Sequence, residues 1–407
     1  MATAKFPASV AALTPTLMTD VLGERYPGVS VKDLRIIERA RCGDGVASTA
    51  DRVILALEYE AGCDAGLPSR VLLKTILLHR SLRFGLPMIL GLARTLGRLD
   101  SVPLLRAQTR PLTFSVINLY QKFFPHAPDP MYANEVRFYS DVREELDIEA
   151  PQSFASVFDE GTGQFGVIME DLGLRKARFP NATTPVSLEE ITHLITNLAA
   201  LHAHFWASPR LEGDLGWVPT STSGGMYQVF RAIGRDLIRD QVAKNDFKAE
   251  LIAPLQRSVD ELWEDVWRGQ TLIRRGPLTL LHGDPHIGNN YLLPDGRGGL
   301  LDWQLMMKGP WVHDLCYLLT TGLDTEARRR HERDLIDLYL DELGRRGVQR
   351  IPDKSEAWTL YRQTVVWGLV IGWLITPPQN YGRAITEANI ARIVTAARDL
   401  ETFEVLR

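Results

Sequence analysis

The chain has 407 residues, 45% of them hydrophobic, which is enough for two unequal domains with cores of their own. Its 46 Lys and Arg residues are outnumbered by 50 Asp and Glu, and the net charge of −4 leaves no basic footprint for nucleic acid. Cys42, Cys63 and Cys316 are scattered without metal-ligand spacing, so disulfides are not expected and a reducing compartment is.

Met1 to Leu13 lacks a basic start followed by a sustained apolar run, so it does not read as a signal peptide, and the cytoplasm is the expected location. Thr14-Pro15 opens a first helix that runs through Leu22. Strands are expected at Leu34 to Glu38, Val53 to Tyr59 and Val71 to Thr75, and a glycine-bearing stretch from Gly43 to Thr49 separates the first two. Lys74 ends the third apolar run, where a lysine can act as a point charge on phosphates. The next stretch, 76–131, is expected to be mainly helical. Within it Leu86 to Leu99 carries apolar residues at helical spacing together with Arg94 and Arg98, and between Arg70 and Arg110 the only acid is Asp100. Three readings of this cationic amphipathic helix stay open: a packed helix with a solvated basic face, a lid over an apolar or anionic substrate, or a surface for a membrane or partner.

Further along, a helix is expected from Glu135 to Leu146, with strands near Ser156 and from Gly166 to Glu170. Ser187 followed by Glu190 is a capping box that starts a helix reaching Trp206. Most of 225–275 is helical. Short strands at Tyr291 to Leu293 and Gly299 to Leu301 flank the turn Pro294-Asp295-Gly296, and helices follow to the end. The apolar run Val365 to Ile375 falls short of the ~20 residues that cross a bilayer. It reads as a buried helix stopped by Pro377-Pro378, and no transmembrane segment or internal repeat is expected.

The stretch from Leu281 to Asp302 carries the chemistry. Transfer of a phosphoryl group needs a carboxylate to orient the attacking hydroxyl and take its proton, and a divalent cation on the phosphate oxygens. Mg²⁺ is served by one or two carboxylates plus an amide oxygen, its shell being completed by phosphate and water. Asp284 fits the base, and Asn289 and Asp302 fit the metal ligands, because the hairpin can fold Asp302 back over Asn289.

His282-Gly283-Asp284, followed after four residues by Asn289, resembles the catalytic loop of the aminoglycoside and choline phosphotransferase-like kinases. Leu301-Asp302-Trp303 resembles their metal-binding segment, and Leu198 to Trp206 is similar to a helix of the ecdysteroid-kinase-like branch. The resemblance runs from about residue 35 to 375. It implies an α+β, two-lobed protein-kinase-like fold: a small N-lobe with an antiparallel sheet at 1–170, and a larger, mainly helical C-lobe at 171–407. It implies ATP and Mg²⁺ as cofactors and the hydroxyl of a small molecule as acceptor. Gly43, Gly45 and Ser48 would belong to a loop covering the phosphates, Glu135 would pair with Lys74, and backbone groups near Glu170 and Leu172 would hydrogen-bond adenine. The chain departs from the family pattern in the insertion at 76–131, in Gly309-Pro310 where relatives have Asp-Pro, and in a loosely glycine-rich loop at Gly43. Asp314 keeps the later carboxylate.

Other polar residues have plainer readings. His202 and His204 are two apart on a helix and point to nearly opposite sides, so they are not a metal pair. His202 is expected to support the catalytic loop and His282 to hold it by hydrogen bonds from its ring, while His286 is left open. Trp303 and Gln304 serve packing or substrate contact. Two rivals share part of the pattern: a noncatalytic nucleotide-binding pseudokinase, and a metallophosphoesterase, which would need an Asp-x-His ahead of residue 282 that the chain lacks. For the acceptor, Trp206, Trp217, Tyr227, Trp303, Trp311, Trp367, Trp373 and Tyr381 favour an uncharged or partly apolar alcohol over a polycation, although many of them must be core.

Overall fold

The computed structural model describes residues 6, 12–40, 50–75, 130–159, 164–223 and 225–407. The loop with Gly43, Gly45 and Ser48, and the cationic segment expected within 76–131, lie outside these residues, apart from the last two positions of that segment. The chain divides into two compact units, Met1–Glu144 with Pro151–Arg175, and Glu145–Ala150 with Lys176–Arg407.

In the first unit, helix α1 (Pro15–Gly23) starts where the Thr14 hydroxyl accepts the Leu17 N–H and proline occupies the first turn. Strands β1 (Val31–Ala40), β2 (Asp51–Tyr59), β3 (Arg70–Thr75), β4 (Ser153–Phe158) and β5 (Phe165–Glu170) form a fully antiparallel sheet in the order β1-β2-β3-β5-β4. Alternation on β2 sends Val53, Leu55 and Leu57 to one face, where they meet Val71, Leu73 and Ile168 of the neighbouring strands and Met18, Val21 and Leu22 of α1. Each such side chain stabilises the fold by about 1.5–3 kcal/mol when fully buried.

Helix α2 (Pro130–Arg137) begins before Glu135, the expected start, and does not run regularly to Leu146. Beyond Arg137 the chain widens into a π turn, Phe138–Val142, and then tightens into a 3₁₀ turn, Arg143–Glu145. Phe138 and Tyr139 are adjacent in sequence yet both buried, edge to face at 5.2 Å. The wider turn lessens the angle between two successive rings, so both reach the core more easily. Tyr132 on α2 stacks on Phe165 of β5 at 4.4 Å and seats the helix on the sheet.

The second unit opens with α3 (Leu188–Phe205), whose capping box has both arms formed between Ser187 and Glu190. Helices α4 (Gly225–Lys244), α5 (Asp246–Ile252) and α6 (Val259–Ile273) follow. Then come strands β6 (Thr279–Leu281), β7 (Asn290–Leu292), β8 (Gly298–Leu300) and β9 (Met307–Gly309), with β6 pairing β9 and β7 pairing β8. The β7–β8 hairpin sits one residue earlier than expected. Tyr291 faces Gly299 across it, and a Cβ on Gly299 would lie 2.2 Å from the Tyr291 ring, so the ring fixes the register by lying over the bare glycine. Glu149 goes with this unit because its main chain exchanges two 2.8 Å bonds with the Asn197 side chain and its carboxylate meets Tyr291 and Arg297.

Helices α7 (Val312–Gly322), α8 (Thr325–Arg345), α9 (Lys354–Trp367), α10 (Arg383–Asp399) and α11 (Thr402–Val405) complete the unit. The apolar run Val365 to Ile375 is buried, but it leaves the α-helix at Trp367 for a π-helical segment, Gly368–Leu374. Tyr317 of α7 lies against this segment. A Cβ on Gly368 would lie 2.8 Å from its ring, and one on Gly372 would lie 2.1 Å from its hydroxyl. The end of the segment is closed by buried Lys248, whose Nζ donates to the carbonyls of Trp373, Leu374 and Thr376 at 3.1, 2.9 and 2.6 Å. Several aromatics considered for a substrate pocket are core: Trp303 and Trp311 are fully buried, and Trp311 stacks on Tyr339 at 4.9 Å. Among the described residues no helix is long and apolar enough to cross a membrane.

Lys248→Met keeps the apolar stem and strips three carbonyls of their donor. We expect it to lower stability by about 1–3 kcal/mol, read as a shift in the denaturant midpoint of helix loss. An unchanged midpoint would show that water replaces the ammonium freely.

Candidate active site

The loop from His282 to Asn289 joins β6 to β7 and is tied to α7 through Asp314. One carboxylate oxygen of Asp314 accepts the His282 N–H at 2.6 Å, and the other accepts the Gly283 N–H at 3.0 Å. His202 of α3 stands 3.2 Å from the first oxygen, and its other ring nitrogen lies 2.7 Å from the Tyr339 hydroxyl. Gly283 has φ +85°, and a Cβ there would lie 1.9 Å from the Leu305 carbonyl, so this bend accepts only glycine.

The His282 ring spans the loop. Its Nδ1 accepts the Asp284 N–H at 3.3 Å, which places the proton on Nε2, and Nε2 donates to the Leu301 carbonyl at 2.7 Å. One imidazole thereby joins the start of the loop to the strand leading into Asp302. The Leu301 N–H donates to the Asn289 carbonyl at 2.8 Å, bringing residue 302 alongside Asn289. Asp302 has φ 65° and ψ 73°, a left-handed conformation that a non-glycine residue holds only where the surroundings impose it.

Asn289 donates through Nδ2 to the Asp284 carbonyl at 2.9 Å and to its carboxylate at 3.0 Å. Both partners are acceptors, so the amide orientation is fixed and Oδ1 is the atom left to serve a cation. Burial, then the charges of Asp302 and Asp314, push the Asp284 carboxyl well above its usual range. Hydrogen bonds from Asn289 and the Tyr317 hydroxyl draw it back only in part. The Tyr317 hydroxyl is itself pushed up by burial and by Asp284. Asp314 differs: burial opposes its charge, but the His202 hydrogen bond and the neighbouring His202, His313 and His282 outweigh that and hold it below the usual value. A carboxylate pair beside an amide oxygen suits a divalent cation, which would offset the repulsion between Asp284 and Asp302.

In the first unit, Lys74 of β3 meets Glu135 of α2, with Nζ 2.8 Å from both carboxylate oxygens and both side chains buried. At the end of β5 the Glu170 N–H is taken by the Gln152 carbonyl at 2.9 Å, and its carboxylate by the Gln152 N–H and Arg175. The Leu172 carbonyl accepts the Arg175 N–H at 3.1 Å. Gly43, Gly45 and Ser48 lie outside the described residues.

Sequence reasoning did not single out Tyr317, or Gly368 and Gly372 that make room for it. The available signal was helical spacing, since Tyr317 follows Asp314 by three positions on α7 and shares its face.

The buried histidines make a pH prediction. Burial depresses His313 to about 4 and His286 to about 3, whereas an unfolded histidine takes a proton near 6.5. Unfolding therefore takes up protons below pH 6.5, so stability is full above that value and falls as pH drops toward 4, by at most ~1.4 kcal/mol per pH unit per histidine. Asp284, held protonated to higher pH in the folded state, acts in the opposite sense and softens the fall. Denaturation at pH 7 and pH 5 should show the loss, and His313→Phe should reduce it; equal losses in both proteins would remove His313 as a source.

A family model described as the phosphotransferase enzyme family matches residues 92–349. No curated relative matches the chain. Among solved structures, a spectinomycin phosphotransferase in complex with ADP and spectinomycin is similar at 12% identity, covering 96% of this chain and 99% of that one, with a TM-score of 0.44. An ethanolamine kinase of Plasmodium vivax is 10% identical over 90% of this chain and 81% of its own, with a TM-score of 0.43. A microcompartment-associated aminopropanol kinase is 11% identical over 94% and 95%, with a TM-score of 0.40. The family match takes in more than half of the chain, including the whole stretch from Asp284 to Asp302, and this chain belongs to the phosphotransferase enzyme family.

Proposed function

We propose that the protein transfers the γ-phosphoryl group of ATP to the hydroxyl of a small, partly apolar alcohol. The observation that carries this reading is the grouping of Asp284, Asn289 and Asp302: Asn289 holds Asp284 at 3.0 Å, and the Leu301–Asn289 bond returns the chain so that Asp302 lies beside them. Asp284 orients the acceptor hydroxyl and takes its proton, and its raised pKa suits a group that must both receive and release one. Asn289 Oδ1 and the Asp302 carboxylate would hold Mg²⁺. When bound, Mg²⁺ neutralises charge on the phosphate oxygens. Lys74, kept extended by Glu135, is the cation for the α- and β-phosphates, and the Glu170 carbonyl and Leu172 N–H are the groups for adenine.

The acceptor class is supported by the surroundings of Asp284. Tyr317, Trp373 and Tyr381 close around His286 beside it, an apolar setting that favours an acceptor with an apolar body carrying one hydroxyl. The resemblance of Leu198 to Trp206 to the ecdysteroid-kinase-like branch supports a sterol-like or other lipophilic alcohol, with a hydroxyacyl thioester or a choline-like alcohol as alternatives. Among the described residues no three His, Cys, Asp or Glu side chains gather as a metal cluster, so nothing there favours the two-metal phosphoesterase reading. The chain is placed in the cytoplasm on this reading.

The test is ATP consumption against a panel of alcohols graded by polarity. We expect turnover with an uncharged or partly apolar member. Asp284→Asn should lower it by about 10²- to 10⁴-fold while leaving ATP binding nearly intact. Unchanged turnover in that variant would take the base role from Asp284, and nucleotide binding with no turnover on any acceptor would favour the noncatalytic alternative. Asp302→Ala should weaken Mg²⁺-dependent nucleotide binding by on the order of 10-fold or more, read by titration with and without the metal.

A further inference from the structure

His286 is buried at 3% exposure, and its ring is held on every side. Its Nδ1 accepts the Gly288 N–H at 3.1 Å, and a Cβ on Gly288 would lie 2.8 Å from the ring carbon between the nitrogens, so the imidazole lies against a position that must stay bare. The ring meets Trp373 at 5.3 Å and Tyr381 at 5.6 Å edge to face, and Tyr317 at 6.0 Å. An acceptor at Nδ1 means that the neutral ring carries its proton on Nε2. That N–H is sealed from solvent and makes no hydrogen bond to the described residues. An orphaned buried donor is costly and calls for a physical reason. Close by is Asp284, whose carboxylate oxygen Oδ2, the one already held by Asn289, lies 3.9 Å from Nε2.

We propose that His286 is a positioning residue for the base: as nucleotide and acceptor enter, its Nε2–H closes on Oδ2 of Asp284 and fixes the rotation of the carboxylate toward the acceptor hydroxyl. This rests on the phosphotransfer reading above. A gap of 3.9 Å needs about 1 Å of movement to become a hydrogen bond, within the tightening that catalytic contacts undergo on substrate binding. Two donors on one oxygen, Asn289 Nδ2 and His286 Nε2, set the carboxylate plane, and the aromatic clamp keeps the imidazole from following any other acceptor. His286 touches neither phosphate nor acceptor in this scheme.

The experiment compares His286→Phe, which keeps an aromatic body but has no donor, with His286→Gln, which can return an N–H. With MgATP and the best alcohol of the panel, or water as acceptor, we expect His286→Phe to lower kcat by about 10- to 100-fold with KM for ATP and the thermal midpoint nearly unchanged. His286→Gln should recover most of that loss. Side-chain ¹⁵N spectra of the wild-type protein should show the Nε2–H tautomer, with its proton moving downfield on adding Mg²⁺ and a non-hydrolysable ATP analogue. Wild-type turnover in His286→Phe, equal losses in both variants, or an Nδ1–H tautomer would each overturn the role of His286 alone. A wild-type protein that binds no Mg-nucleotide would overturn the phosphotransfer reading, and this role with it.

Discussion

The second unit depends on one carboxylate, Asp314, accepting two consecutive backbone N–H groups from His282 and Gly283. A chain that turns through φ +85° at Gly283 can continue neither a helix nor a strand, so neither ladder can satisfy those donors. Asp314 supplies both partners from α7, and being ionised it makes stronger bonds than a neutral acceptor would. Its charge persists in a buried place because His202 bonds to it and further imidazoles stand near. Asp284 is less enclosed, yet its charged neighbours are carboxylates, and its ionisation moves the other way. One loop thus holds an ionised anchor and a carboxyl able to exchange a proton, and the hydrogen bonds around the first and the carboxylates around the second set them apart.

What could be read beforehand follows the range of the forces involved. Asp284 and Asn289 are joined by a turn of a few residues, so their spacing carried the geometry, and Asp302 followed from a hairpin whose turn residues are plain in the sequence. The capping box at Ser187 is equally local. Lys74 and Glu135 are 61 positions apart, and no periodicity in either segment specifies the other. Their pairing was legible only through resemblance. The one-residue offset of the hairpin came from Tyr291 settling over Gly299, a choice that apolar alternation leaves open. Both π turns were invisible, since a helical pattern in sequence presumes 3.6 residues per turn.

The segment Gly368–Leu374 shows how such an irregularity serves the site. A π turn gives up regular helical bonding, and here the compensation comes from outside the helix: Tyr317 fills the surface left by Gly368 and Gly372, and Lys248 caps the carbonyls at the far end. The segment carries Trp373, whose ring presses on His286, whose Nδ1 holds the Gly288 N–H, the residue before Asn289. A lysine on α5 is thus linked to the catalytic loop through contacts that all lie within one compact unit. Each link is a packed or hydrogen-bonded pair, so the loop that carries Asp284 leans on the aromatic wall as well as on its own bonds. That coupling explains why bulky rings and bare glycines alternate around the carboxylate. The rings give the wall its stiffness, and the glycines decide where it can stand.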